Sequence, residues 1–257
     1  MPVHTRRDGP VSWVVIDREG KGNSLDYEHA RLLAEAVRGE CGAPGTSVVA
    51  IRGAGDRFFS TGVDLESVAS IGGPGDSWRL MYEGLGGVCR AVAECPKPVV
   101  AAVNGHAIGI GFELLHAADI AVAVRWAKLG TPAVRWGMVP PATPTVAPWL
   151  IGYKRAAYLV LTGDTITAEE AARQGIVNFV VDSVEELEAK VVEVAERIAA
   201  NDPWAVRMAR ELLREARPHA MLQRGLLALV YSAARPETVE RARGFVESRR
   251  RRGAGGG

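Results

Sequence analysis

The apolar and polar positions of this chain fall into two textures. Over residues 1–140, short apolar runs alternate with amphipathic stretches. Val11–Asp17, Ser47–Arg52, Pro98–Asn104 and Ile120–Val124 are expected strands. Asp26 is placed to cap a helix that turns Leu25, Leu32, Leu33 and Ala36 inward. Residues 77–95 read as one helix, ended by Pro96 and Pro98. Strands alternating with helices argue for α/β layering. Residues 142–252 read as almost entirely helical. There Ser183 and Glu186 form a capping box ahead of a helix with Val184, Leu187, Val191, Val194 and Ile198 on one face. Asp202-Pro203 opens the next helix, with Ala205, Ala209 and Leu213 along one stripe. Arg235-Pro236 separates it from a last segment ending near Phe245.

Composition narrows the class. A chain of 257 residues, 47% hydrophobic and 24% charged, suits one large globular domain or a domain with a small appendage. A net charge of +1 provides no overall field for nucleic acid or membrane. The three cysteines, Cys41, Cys89 and Cys95, are odd in number and contain no C-x-x-C. No disulfide framework or zinc site is therefore expected, and a reducing cytosol is the default compartment. The first residues have no signal-peptide core, and no apolar run is long enough for a membrane span. Arg249–Arg252 could touch phosphates, but with the glycine-rich tail they read first as a frayed, solvated end.

Candidate chemistry concentrates in residues 104–119, where the third strand runs into a glycine-spaced turn and then an apolar helix pattern carrying Glu113. Gly105, Gly109 and Gly111 allow close approach of backbone to a ligand. The first N–H groups of the helix have no internal partner and lie at the positive end of its dipole, which suits a developing oxyanion. Glu113 follows Ile110 by three residues and shares its helical face. It can complement the dipole as a structural acid, or stand beside a bound substrate as a proton carrier.

A second glycine-rich loop, Arg52–Leu65, also follows a strand. Gly53-x-Gly55 lacks the third glycine of a dinucleotide fingerprint. Its alternatives are a plain strand-to-helix loop, or a second donor loop with the Val63 N–H pointing into a pocket. Two such loops converging on one oxygen would polarise a carbonyl and stabilise its enolate. Asp64 and Asp119 read as structural acceptors, His106 and His116 as core or pocket lining, and Trp126, Trp136 and Trp149 as packing residues. No G-x-S-x-G elbow, Walker loop or H-E-x-x-H occurs.

These residues resemble the crotonase superfamily, the enoyl-CoA hydratase/isomerase group, from about Val11 to Phe245. Gly22-Asn23-Ser24-Leu25 is similar to the early loop that helps hold CoA, and Phe59–Leu65 to the first oxyanion-hole loop. Lys97–Glu113 resembles the strand and second oxyanion loop, and Leu161–Val177 the helical region that follows. The resemblance implies an α/β, crotonase-like core of repeated ββα units over residues 1–198, with a C-terminal helical trimerisation region over 199–257. It implies an acyl-CoA thioester as substrate, no metal or redox cofactor, and a homotrimer or dimer of trimers. RNA binding occurs in the wider family, but the net charge of +1 gives it little support, so no nucleic-acid or membrane partner is expected, and the cytoplasm is the expected compartment. Val63 and Ile110 would supply the two N–H donors and Glu113 the first catalytic glutamate. Asn23, Ser24, Ser60, Gly62, Asp64 and Gly109 would line the CoA and substrate site.

One departure matters. Ala133 stands where the family's second glutamate follows a proline, and the usual glycine-rich turn reads Pro140-Pro141-Ala142-Thr143-Pro144, which is stiffer. Glu83 is a possible substitute carboxylate. The leading expectation is an enoyl-CoA hydratase working through a thioester enolate. The loss of a carboxylate keeps open an isomerase, a specialised crotonase such as a decarboxylase or carbon–carbon hydrolase, and a CoA-binding paralogue without turnover.

Overall fold

The computed structural model describes residues 2–254. A hairpin of β1 (Val3–Asp8) and β2 (Val11–Ile16) opens the chain, followed by α1 (Tyr27–Gly42). The Asp26 side chain accepts the His29 N–H at 2.9 Å and caps α1, a contact that stabilises a helix by about 1 kcal/mol. Next come β3 (Val48–Gly53), β4 (Phe58–Ser60) and α2 (Leu65–Ala69). A continuous helical rod then runs through α3 (Pro74–Ser77), a π-helical stretch at Trp78–Leu85, and α4 (Gly86–Glu94). β5 (Val99–Val103), β6 (His106–Ile108) and α5 (Ile110–Ala117) form the next unit. β7 (Ile120–Val124), β8 (Lys128–Gly130) and a 3-10 turn at Pro132–Trp136 form the third.

The remainder holds α6 (Ala147–Ile151), α7 (Tyr153–Thr162), β9 (Thr165–Thr167), α8 (Ala168–Gln174) and β10 (Phe179–Val181). Four longer helices close the chain: α9 (Val184–Ala199), α10 (Pro203–Glu215), α11 (His219–Ala233) and α12 (Pro236–Ala254).

Each repeated unit sends its first strand to a large sheet and its second to a small one. The large sheet has the order β1-β2-β3-β5-β7-β10, parallel except for the first hairpin. The small sheet has the order β4-β6-β8-β9, with β4, β6 and β8 mutually parallel. This is the expected α/β architecture of ββα units with C-terminal helices. β2 and β5 are buried along their whole length, as strands covered on both faces must be.

Several expectations are corrected. The region 142–252 is not purely helical: β9 and β10 are three-residue strands, too short to leave an alternating pattern. The helix at 77–95 starts earlier, at Pro74, and carries the π-helical stretch, which changes the phase of the residues it presents. On α10 the Ala205, Ala209 and Leu213 stripe is exposed, and the buried residue is Arg210. Arg210 pairs with Asp119 at 2.7 Å and donates to the carbonyls of Val92 and Cys95, so a cation rather than an apolar face ties α10 to the core. Trp126 and Trp149 are 43% and 52% exposed, so they are not core packing. The arginine run is not frayed over its described part, because α12 continues through it. The Ser183 box is half made: Ser183 accepts from Glu186 N, whereas Glu186 accepts from Asp182 N.

Cys41 and Cys95 form a disulfide, against the expectation from their odd number. They are 54 residues apart in sequence, but α1 and α4 pack side by side and bring the two Cα atoms to 5.4 Å. Cys89 stays a free, buried thiol, with its pKa pushed up to about 12 by burial.

A staple closing a loop of this length restricts the unfolded chain, typically by ~2–4 kcal/mol. Full reduction, or Cys41→Ala with Cys95→Ala, is expected to lower the unfolding free energy by that amount and to move the midpoint of a denaturant titration down with it. An unchanged midpoint would show that the bond is absent or thermodynamically silent in solution.

Candidate active site

The small sheet places three loops side by side. β4 pairs in parallel with β6, and β6 with β8. Their C-terminal ends, at residues 61–63, 109–110 and 131–133, therefore emerge together. The first loop is anchored by Leu25, whose N–H donates to Gly62 O at 2.8 Å and whose carbonyl accepts from Asp64 N at 2.8 Å. The second is anchored by the Gly109 N–H on Gly130 O at 2.9 Å. Among the described residues, the N–H groups of Val63 and Ile110 have no acceptor.

The first two loops touch. A Cβ on Gly62, whose φ is +97°, would sit 3.0 Å from Ile108 O and 3.3 Å from Ile110 N. Only glycine lets the loops approach this closely at that φ. Gly111 and Gly105 serve the scaffold rather than a ligand. A Cβ on Gly111 would meet Ser60 O at 2.6 Å, and one on Gly105 would meet the Arg57 carbonyl carbon at 2.3 Å.

Glu113 lies on α5, one turn from the Ile110 N–H, and is buried. The turn that looked merely stiff in the sequence grips it. The N–H groups of Ala142 and Thr143 donate to one carboxyl oxygen, the latter at 2.9 Å, and the Thr143 hydroxyl donates to the other. Burial raises the carboxyl pKa above its ordinary 4.5, while these hydrogen bonds pull it down without cancelling the rise. One turn further on, His116 is buried with neither ring nitrogen hydrogen-bonded, and desolvation lowers its pKa to about 4. It is a neutral wall beside Glu113.

An apolar chamber of about 90 Å³ lies against these loops. Val63, Ile110, Glu113 and Ala133 line it, with Met81 and Leu85 from the π-helical stretch. Ala133 brings no proton-carrying group, and Glu83 is exposed and outside this lining. A larger cleft of about 980 Å³ shares Val63, Thr61, Ile108 and Trp136 with the chamber. Trp136 therefore works in the site wall, held edge-on by Phe245 of α12 at 5.0 Å.

The residues expected to hold CoA divide. Ser24 and Asp64 line the cleft, Gly109 lines the chamber, and Gly62 forms the loop contact. Asn23 is buried scaffold, its amide donating to the carbonyls of Ala54 and Phe58. Ser60 is also buried, donating to Asn23 O and accepting from Gly62 N. Asp64 caps α2 and pairs with Arg18 at 2.8 Å. Sequence reasoning missed Arg57 and ranked a solvated end above a phosphate contact for Arg249 and Arg250; all three line the cleft. The Arg249–Arg252 run was the available signal, but only the return of α12 across α2 shows where it lands.

The family model described as enoyl-CoA hydratase/isomerase matches residues 6–249. A carnitinyl-CoA dehydratase of Salmonella typhi is 35% identical over 214 residues, 82% of this chain and 80% of the relative. Among solved structures, an enoyl-CoA hydratase from Bacillus halodurans superimposes with a TM-score of 0.83 at 26% identity, over 95% of this chain and 100% of that one. An enoyl-CoA hydratase from Bacillus anthracis gives 0.78 at 32% identity, over 96% and 97%. The chain belongs to the enoyl-CoA hydratase/isomerase family.

Two measurements test the site as built. Gly62→Ala is expected to lower unfolding stability by about 1–3 kcal/mol, because it forces a side chain onto a positive φ and against the second loop. An unchanged midpoint would show that the loops are not held in contact. A raised carboxyl pKa favours folding fully below the ordinary value of 4.5, and this contribution is lost as pH rises through the raised pKa. Glu113→Gln should therefore raise Tm relative to the parent at about pH 8 and lose that advantage near about pH 4. A Tm difference independent of pH would contradict the burial effect.

Proposed function

We propose that this member of the enoyl-CoA hydratase/isomerase family is an enoyl-CoA hydratase, adding water reversibly to a 2-enoyl-CoA. One observation carries this: two acceptor-free N–H groups on touching loops stand one helical turn from a buried carboxyl of raised pKa. The thioester oxygen would accept from the N–H groups of Val63 and Ile110. A donor of this kind typically contributes roughly 3–4 kcal/mol to the barrier. Glu113 would take a proton from water as the water oxygen bonds to the β-carbon. The double-bond electrons move toward the α-carbon and the thioester oxygen, giving an enolate. The proton on Glu113 then goes to the α-carbon, so H and OH are added and the carboxylate is restored.

With Ala133 opposite, one carboxyl makes both transfers. The same Ala133 favours a second reading, an isomerase that moves a double bond between the 3 and 2 positions, because one base suffices to lift and return a proton. The Salmonella relative is named a dehydratase, and loss of water is the reverse of hydration.

The substrate would place its acyl chain in the apolar chamber and its nucleotide in the cleft, beside Arg57, Arg249 and Arg250. CoA arrives as part of the substrate, with no further cofactor. Trp204, Leu212, Leu213 and Tyr231 are 64–77% exposed on the C-terminal helices. They support assembly into a homotrimer or a dimer of trimers.

Purified protein should consume crotonyl-CoA, read as loss of its conjugated absorbance, and Glu113→Gln should slow this by about 10²–10⁴-fold. Conversion of a 3-enoyl-CoA without hydration would select the isomerase. Full activity in Glu113→Gln would remove Glu113 from the chemistry.

A further inference from the structure

Thr131 is the first residue after β8, at the start of the 3-10 turn that carries Ala133. A threonine there ordinarily caps the turn with its hydroxyl, yet this one makes no side-chain cap bond. The hydroxyl is fully buried and, among the described residues, makes no hydrogen bond of ordinary geometry. An unsatisfied buried hydroxyl is costly, typically by about 1–3 kcal/mol, so its retention calls for an occupant.

Its surroundings say what that occupant is. Thr131 lines the chamber together with Glu113, Ile110 and Ala133. It lies near enough to Glu113 to help draw the carboxyl pKa down, without a direct hydrogen bond of ordinary geometry. Three donors from Ala142 and Thr143 already occupy Glu113, but a carboxylate offers about four acceptor positions. A hydroxyl both donates and accepts, and a small oxygen between two such groups can bond to each. Much of the rest of the wall, including Met81, Leu85, Met138 and Leu229, offers such an oxygen no strong partner.

We propose that the Thr131 hydroxyl and the Glu113 carboxyl together hold the oxygen that becomes the β-hydroxyl group, making Thr131 the positioning residue for water. The inference rests on the hydratase reading. Thr131 donates to the water oxygen, leaving one of the water's protons directed at Glu113 and one lone pair at the β-carbon. The proton transferred comes from the water; Thr131 keeps its own. A hydroxyl beside Ala133 thus orients the nucleophile on the side of the chamber that has no second carboxyl.

The test compares Thr131→Val, which keeps the shape, with Thr131→Ser, which keeps the hydroxyl. Two reactions are followed for each: hydration of crotonyl-CoA, and exchange of the α-protons of butyryl-CoA in heavy water by NMR. Exchange needs the donor loops and Glu113 but no attacking water. In Thr131→Val the ratio of hydration rate to exchange rate should fall about 10–100-fold, and Thr131→Ser should restore it to within about threefold. A merely structural role would lower both reactions together and leave the ratio unchanged, which overturns the proposal. So does full hydration activity in Thr131→Val. Wild-type protein that exchanges α-protons but never hydrates overturns the hydratase reading itself, and the role of Thr131 falls with it.

Discussion

The site depends on the pairing of three very short parallel strands, β4, β6 and β8. Parallel pairing makes neighbouring strands end on the same side. Each of these strands is the second of a ββα unit, so each delivers the loop that follows it to one place. Two of those loops present free N–H groups, and the third presents Thr131 and Ala133. Glycine at 62 and 111 lets the first two units close up until their backbones touch. A side chain at either position would force these loops apart.

The electrostatics follow from that packing. α5 is buried along its whole length, which takes Glu113 out of water. Desolvation of a carboxyl is expensive, and the Pro140–Pro144 turn offsets part of it with two backbone N–H groups and one hydroxyl. The outcome is a carboxyl held in one orientation with its pKa shifted toward that of a proton carrier rather than a permanent anion. The prolines matter for geometry: they stiffen a turn whose amides must point inward. His116 stays neutral beside it because burial, with the Arg217 cation nearby, disfavours the imidazolium.

The C-terminal helices complete the walls. α11 supplies Leu229 to the chamber, and α12 crosses back to hold Trp136 and bring Arg249 and Arg250 to the cleft. α10 is fastened through the buried Arg210–Asp119 pair, while the Cys41–Cys95 bond ties α1 to the end of α4. The helical rod that carries Met81 and Leu85 is thereby anchored at its far end.

By itself the sequence determined the architecture and marked the candidate residues. Strand and helix periodicity, the Asp26 and Asp202 caps and the two glycine-spaced loops are local signals, decided by residues a few positions apart. Glu113, Val63 and Ile110 stood out as candidates for the same reason. Tertiary structure decided what depends on distant residues meeting. It turned a stiff proline turn into the clamp on Glu113, put Asn23 and Ser60 into the scaffold, left Glu83 outside the chamber, and exposed the α10 stripe that looked like core. It also paired two cysteines 54 residues apart and left the buried Thr131 hydroxyl, among the described residues, without a hydrogen bond of ordinary geometry. Burial, partner and orientation arise only from packing between elements, and no pattern along one segment encodes them.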